Sequence, residues 1–152
     1  MKSLKIVEYN LKLMRDNKMY KKILIAVSNH PPEQWGDEQK AGWDEIVFIP
    51  FPNVPARLTR QEVREMAYDL ACQIIKIWDE KTRGGEIVYL WLAGEYSLTV
   101  FTIEQLLEYF PQHGYHLFNR MVFPTSERVV YEEKDEEGNV IKKSVFKFVQ
   151  WR

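Results

Sequence analysis

The 152-residue chain has one cysteine, Cys72, and so it can form neither an internal disulfide nor a cysteine-built zinc site. Set in a helical pattern, Cys72 reads as a small buried apolar residue of a reducing compartment. No apolar run approaches membrane-spanning length, and residues 1–21 scatter charges where a signal peptide would need an apolar centre. The expected location is the cytoplasm, with no membrane partner. There is also no excess of charge of either sign. The net value is −1, which leaves too little cation surplus to grip long DNA or RNA. A small anion is a different matter, because backbone amides at helix N-termini can hold it. G-x-G-x-x-G, a Walker A loop and metal-ligand spacing are all missing, so no cofactor and no metal are expected.

Aromatics are plentiful, at 14% of the chain, beside 45% hydrophobic and 28% charged residues. That composition and length describe one ordinary globular domain. Residues 22–152 carry it, and residues 1–21 form an N-terminal extension. Within the extension Leu4, Val7, Leu11 and Met14 recur at helical spacing. They fit either an amphipathic helix or a loosely docked tail.

Residues 23–27, "ILIAV", form an unbroken apolar run. Such a run marks a strand buried on both faces, as in the centre of a parallel sheet. Residues 45–49 and 87–92 read as two more strands. A short helix begins near Asp37. A capping box, Thr59 with Glu62, opens a long helix that runs to about Glu80. A second helix follows Gly94, with Val100, Ile103, Leu106 and Leu107 on one face. A fourth strand is expected within 116–123. Strands at 128–133 and 140–149 make a terminal β-hairpin around a Gly-containing turn. The expected fold is therefore α/β, a Rossmann-like, mostly parallel sheet flanked by helices with a C-terminal hairpin.

In such sheets ligands bind at the carboxyl ends of the strands. Three strands are expected to end there in polar, turn-prone residues: Ser28, Asn29 and His30; Gly94, Glu95, Tyr96, Ser97 and Thr99; and Thr125, Ser126 and Glu127 with Arg128. Ser28 and Asn29 are equally ordinary turn chemistry. Arg128 beside two hydroxyls suits a phosphate, though an Arg opening a hairpin is also common. Tyr96 and Trp35 are candidates to face a nucleobase, or else core residues.

Residues 125–133 and 145–152, with Val27 to Pro31 and Gly94 to Thr99, resemble small stand-alone CRISPR-associated (Csx-type) proteins. These are CARF-like, meaning a CRISPR-associated Rossmann fold. The resemblance implies a role in type III CRISPR antiviral defence. It implies a homodimer that binds a cyclic oligoadenylate messenger, cyclic tetra-adenylate foremost, across its two-fold axis. It further implies a ring nuclease that cleaves the messenger without metal, by attack of the ribose 2′-OH on the adjacent phosphorus. In that scheme Arg128 would stabilise charge, Ser28 would position the phosphate or ribose, and His30 would serve as acid or base. Asn29, Trp35, Gly94 to Ser97, Thr99 and Thr125 to Glu127 would line the ligand. A non-catalytic binder of the same messenger, or an unrelated nucleotide-binding α/β protein, are the alternatives.

Overall fold

A computed structural model describes residues 20–152. The helical pattern expected at Leu4, Val7, Leu11 and Met14 lies outside the described residues. The elements run β1 (Lys22–Ser28), β2 (Glu45–Pro50), β3 (Ile87–Ala93), β4 (Pro124–Lys134) and β5 (Val140–Trp151). Between them lie a short helix α1 (Asp37–Lys40), the long α2 (Arg60–Arg83) and α3 (Tyr96–Tyr109). The architecture is mixed α/β. One sheet is parallel, in the order β2-β1-β3, and β4 with β5 forms a separate antiparallel hairpin.

β1 is the central strand, as its composition predicts. Ile23 to Val27 have no solvent exposure at all. Side chains alternate across a strand, so β1 feeds two cores. Ile23, Ile25 and Val27 face the first, together with Val88, Leu90 and Leu92 of β3 and the buried stripes of α2 and α3. Leu24 and Ala26 face the second, with Trp35, Trp91, Trp43 and Trp151. Both long helices thus cover one face. The opposite face is roofed by a cluster of tryptophans and the short connection between β1 and β2, where flanking helices were expected on the sheet.

α2 begins where the capping box places it. The Thr59 hydroxyl accepts the Glu62 N–H at 3.3 Å, and the Glu62 carboxylate accepts the Thr59 N–H at 2.7 Å. The helix ends at Gly84, and Gly85 follows with φ of +84°, a left-handed turn natural to glycine. Cys72 is exposed, against expectation, because it sits one residue past the buried stripe at Ala71. α3 buries Leu98, Thr102 and Leu106 at four-residue spacing. Val100 and Leu107 stand out into solvent, on the other side of the stripe from where the sequence pattern put them.

The fourth strand expected within 116–123 shrinks to one parallel bridge, Leu90 with Met121. A 3-10 turn at Leu117–Asn119 uses up the preceding residues. Pro124 then starts the hairpin directly, so Thr125, Ser126, Glu127 and Arg128 lie inside a ladder, not in a loop at a strand end. That placement corrects the expected third loop of the site.

Candidate functional site at the carboxyl edge

β1, β2 and β3 are parallel, so Ser28, Pro50 and Ala93 finish at one edge. The chain leaves β1 across the tryptophan face and leaves β3 into α3 on the helix face. The loops after β1 and β3 therefore part to opposite sides. The order 2-1-3 places a switch point between those two strands, where open parallel sheets hold their ligands.

Phe51 ties this edge together. Its N–H donates to the Ser28 carbonyl at 3.1 Å, and its ring lies on the α-carbon of Gly94. A β-carbon at position 94 would meet the ring at 2.3–2.4 Å. Glycine is needed there for close approach and not for an unusual φ. Phe51 is not among the residues expected at the site. Its signal is an aromatic residue between Pro50 and Pro52, directly after a strand. The loop it opens also carries Asn53 and Arg57, both exposed, which the sequence reading left out of the site.

Ser28 is only 1% exposed. Its hydroxyl accepts the His30 N–H at 2.9 Å and donates to the His30 carbonyl at 3.1 Å. Both hydrogen-bonding roles are spent on shaping the turn, the ordinary chemistry of a serine at such a place. Asn29 and His30 are exposed on that turn. The His30 carbonyl also accepts the indole N–H of Trp35 at 2.8 Å. Trp35 itself is 6% exposed and packs on Trp91 and Trp151, with ring centroids 5.4 and 6.0 Å away. It has no free ring face for a base. Tyr96 does, being 82% exposed at the start of α3.

Glu95 caps α3. Its carboxylate accepts the Leu98 N–H at 2.8 Å and the Ser97 hydroxyl at 2.8–2.9 Å. The Leu98 hydrogen bond, with help from Ser97 and against desolvation, holds the carboxyl below its ordinary pKa. A negative group already fills the helix N-terminus, so an incoming phosphate would have to displace it. The Thr99 hydroxyl donates back to the Glu95 carbonyl at 2.8 Å.

The other candidates lie along the hairpin. The Thr125 hydroxyl donates to the Gln150 carbonyl at 3.0 Å, Ser126 pairs with Phe148, Glu127 with Lys147 and Arg128 with Phe146. Among the described residues no hydrogen bond or ion pair joins Arg128 to Ser28, His30 or Glu95. No group of three or more metal-ligating side chains occurs among them either. Two grooves, of about 610 and 440 Å³, follow the outer seam of α2 and α3 and include none of the edge loops.

The fold and this edge define a small α/β protein whose parallel sheet has a switch point between β1 and β3. The chain belongs to the Uncharacterized protein MJ1673 family, whose family model matches residues 22–152. No curated protein and no solved structure matches it. Membership gives a lineage and no chemistry, so function has to be argued from the site.

Proposed function

We propose that the carboxyl edge between β1 and β3 binds a nucleotide messenger, a cyclic oligoadenylate, shared across a two-fold homodimer. The observation that carries the reading is the switch point, where the exposed Asn29, His30 and Tyr96 stand on diverging loops fixed by Phe51. Tyr96 would stack on an adenine. Arg57, on the loop after β2, replaces Arg128 as the cation for a phosphate. Ser28 acts as a positioning residue, because its hydroxyl sets the path of His30.

Cleavage would follow from alignment. The ribose 2′-oxygen attacks phosphorus, the bond to the neighbouring 5′-oxygen breaks, and a 2′,3′-cyclic phosphate and a 5′-hydroxyl remain. His30 would take the proton from the 2′-OH or return one to the leaving oxygen. The second reading, binding without cleavage, is favoured by the closed hydrogen bonding of Ser28. Incubation with cyclic tri-, tetra- and hexa-adenylate in EDTA, followed by chromatography, tests both. Linear products support the nuclease, and retention of intact ring supports the binder. Absence of any binding removes the cyclic oligoadenylate.

A further inference from the structure

The hairpin is more exposed than a two-stranded ribbon can ordinarily sustain. Every residue from Ser126 to Lys147 except Asp135 is exposed. Val129, Val130, Tyr131, Val140, Ile141, Val145 and Phe146 all contribute large apolar surface, Phe146 at 76% exposure. At about 3.4 Å per residue the arm is roughly 35 Å long. Isolated two-stranded hairpins are marginal in water, and a third strand or a packed face is what stabilises them.

The two outer edges of the arm differ. β5 carries Lys142, Lys143 and Lys147 and no acid, the kind of edge that repels its own copy. β4 carries the segment Arg128-Val129-Val130-Tyr131-Glu132, with opposite charges at its ends and an apolar middle. The direction of its backbone groups follows from the turn. The Asp135 N–H donates to the Asn139 carbonyl at 3.0 Å, so the pair next to it, Lys134 with Val140, is not hydrogen-bonded. Alternation along the ladder then turns the N–H and C=O of Arg128, Val130 and Glu132 outward, away from β5.

We infer that a second copy of the chain docks on β4 through antiparallel pairing centred on Val130, giving a four-stranded sheet β5-β4-β4-β5. The outward groups of Val130 bond Val130 of the second copy. Those of Arg128 meet Glu132, and those of Glu132 meet Arg128, so two opposite-charge pairs form by symmetry. Val129 faces Tyr131 twice. Glu127 faces Glu133, and on each arm Lys147 lies opposite Glu127 while Lys143 makes an ion pair with Glu133. The two Arg128–Glu132 pairs favour a second copy of the same edge, while Lys147 and Lys143 offset the two like-charged Glu127–Glu133 contacts; within each arm Glu132 also lies 3.6 Å from Lys142. The inference uses the arm alone and does not rest on the proposed function, since pairing centred on Val130 holds the two copies of Thr125 about 34 Å apart.

The test is the oligomeric state of the full chain without nucleotide, by sedimentation over a range of concentrations. The parent chain should be a dimer. Arg128→Glu and Glu132→Arg should each weaken it about tenfold or more, because each sets like charges opposite one another twice. The double swap Arg128→Glu with Glu132→Arg should restore it. Val130→Pro should also weaken it while sparing the hairpin's own ladder, since the lost N–H points outward. Circular dichroism of each variant establishes that the fold persists. A monomeric parent, growth past the dimer, or a dimer indifferent to the single swaps overturns the inference. A charge-sensitive dimer that binds no cyclic oligoadenylate leaves it standing and rejects the functional reading instead.

Discussion

The ring of Phe51 rests on the α-carbon of Gly94, so close that a β-carbon there would stand 2.3 Å from Phe51 Cγ. The same residue's N–H bonds the Ser28 carbonyl. One residue therefore joins the ends of three strands, by its main-chain N–H to β1 and by its ring to the residue after β3.

Gly94→Ala should destabilise the fold by about 1–3 kcal/mol, the usual cost of overpacking a filled site. In a Phe51→Leu background the same change should cost much less, because the ring it strikes is gone. Denaturant melts of the four-protein cycle measure the coupling. Strict additivity would mean that the contact is not what excludes a side chain at position 94.

Glu95 predicts a pH dependence. Its hydrogen bonds to the Leu98 N–H and Ser97 lower the carboxyl's pKa in the folded state. A lowered folded pKa gives stability that is present above the unfolded value, near 4.5, and lost as pH falls through the folded one. The protection factor of the Leu98 amide should therefore fall on acidification below that value. Glu95→Gln should flatten the response. Equal protection of Leu98 in the parent and in Glu95→Gln at every pH would rule the cap out as its cause.

Tyr109 predicts the opposite end of the scale. Its hydroxyl donates to Asp79 at 2.6 Å, and that bond, with burial and the nearby negative charge, pushes its pKa up to about 12. A folded pKa above the unfolded one, near 10, gives stability that is complete below the unfolded value and lost as pH rises through the folded one. Ultraviolet titration should show a late-ionising tyrosine. Asp79→Asn should move it back toward the others. Unchanged curves would separate the two residues.

Much of the fold was legible because local and tertiary signals agreed. Residues 23–27 have no polar member and form the strand that pairs along its whole length with a neighbour on each side. Thr59 and Glu62 fixed the start of α2 by themselves. The hairpin was legible as a hairpin, but its beginning was not, since Pro124 reads as a breaker although the first residue of a strand tolerates proline. Thr125 to Arg128 therefore stand in a ladder and not in the polar loop expected there. The fourth strand failed because Leu117 is buried in a 3-10 turn, where its apolar neighbours mimic a strand. Phe51 on Gly94 joins residues 43 apart in sequence, a contact that no local pattern announces. For Trp35 the sequence leaves open a nucleobase contact or a place in the core, because its burial against Trp151 depends on a segment over a hundred residues away.

Trp151 anchors the arm to the body. Its indole N–H donates to the Gln39 carbonyl at 2.9 Å, and its ring lies 5.5–6.0 Å from those of Trp35, Trp43 and Trp91. Trp151→Ala should cost about 3–5 kcal/mol. It should also diminish the near-ultraviolet circular dichroism of the cluster and open residues 124–152 to proteolysis before the rest. Cleavage beginning instead in α2 or α3 would show that the arm does not depend on this contact.

The final prediction sets Arg57 against Arg128. Both are exposed arginines without an ion-pair partner among the described residues. Arg57 follows β2 on the carboxyl edge, while Arg128 lies three residues beyond Thr125 in the ladder, on the order of 10 Å further along the arm. If Arg57 holds a phosphate whose charge grows during ring opening, Arg57→Ala should lose about 2–4 kcal/mol of transition-state stabilisation, roughly a hundredfold in rate. Affinity should fall less, because the ground-state phosphate gains less from the contact. Arg57→Lys should recover part of the rate, since an ammonium lacks the two-pronged geometry of a guanidinium. Changes at Glu136 or Glu137, in the hairpin turn, should leave cleavage as it was. Single-turnover assays of cyclic tetra-adenylate at one protein concentration, above the dimer's dissociation constant, separate these effects from assembly. A hundredfold loss in Arg128→Ala with a normal Arg57→Ala would return the phosphate to the arm and take the loop after β2 out of the site.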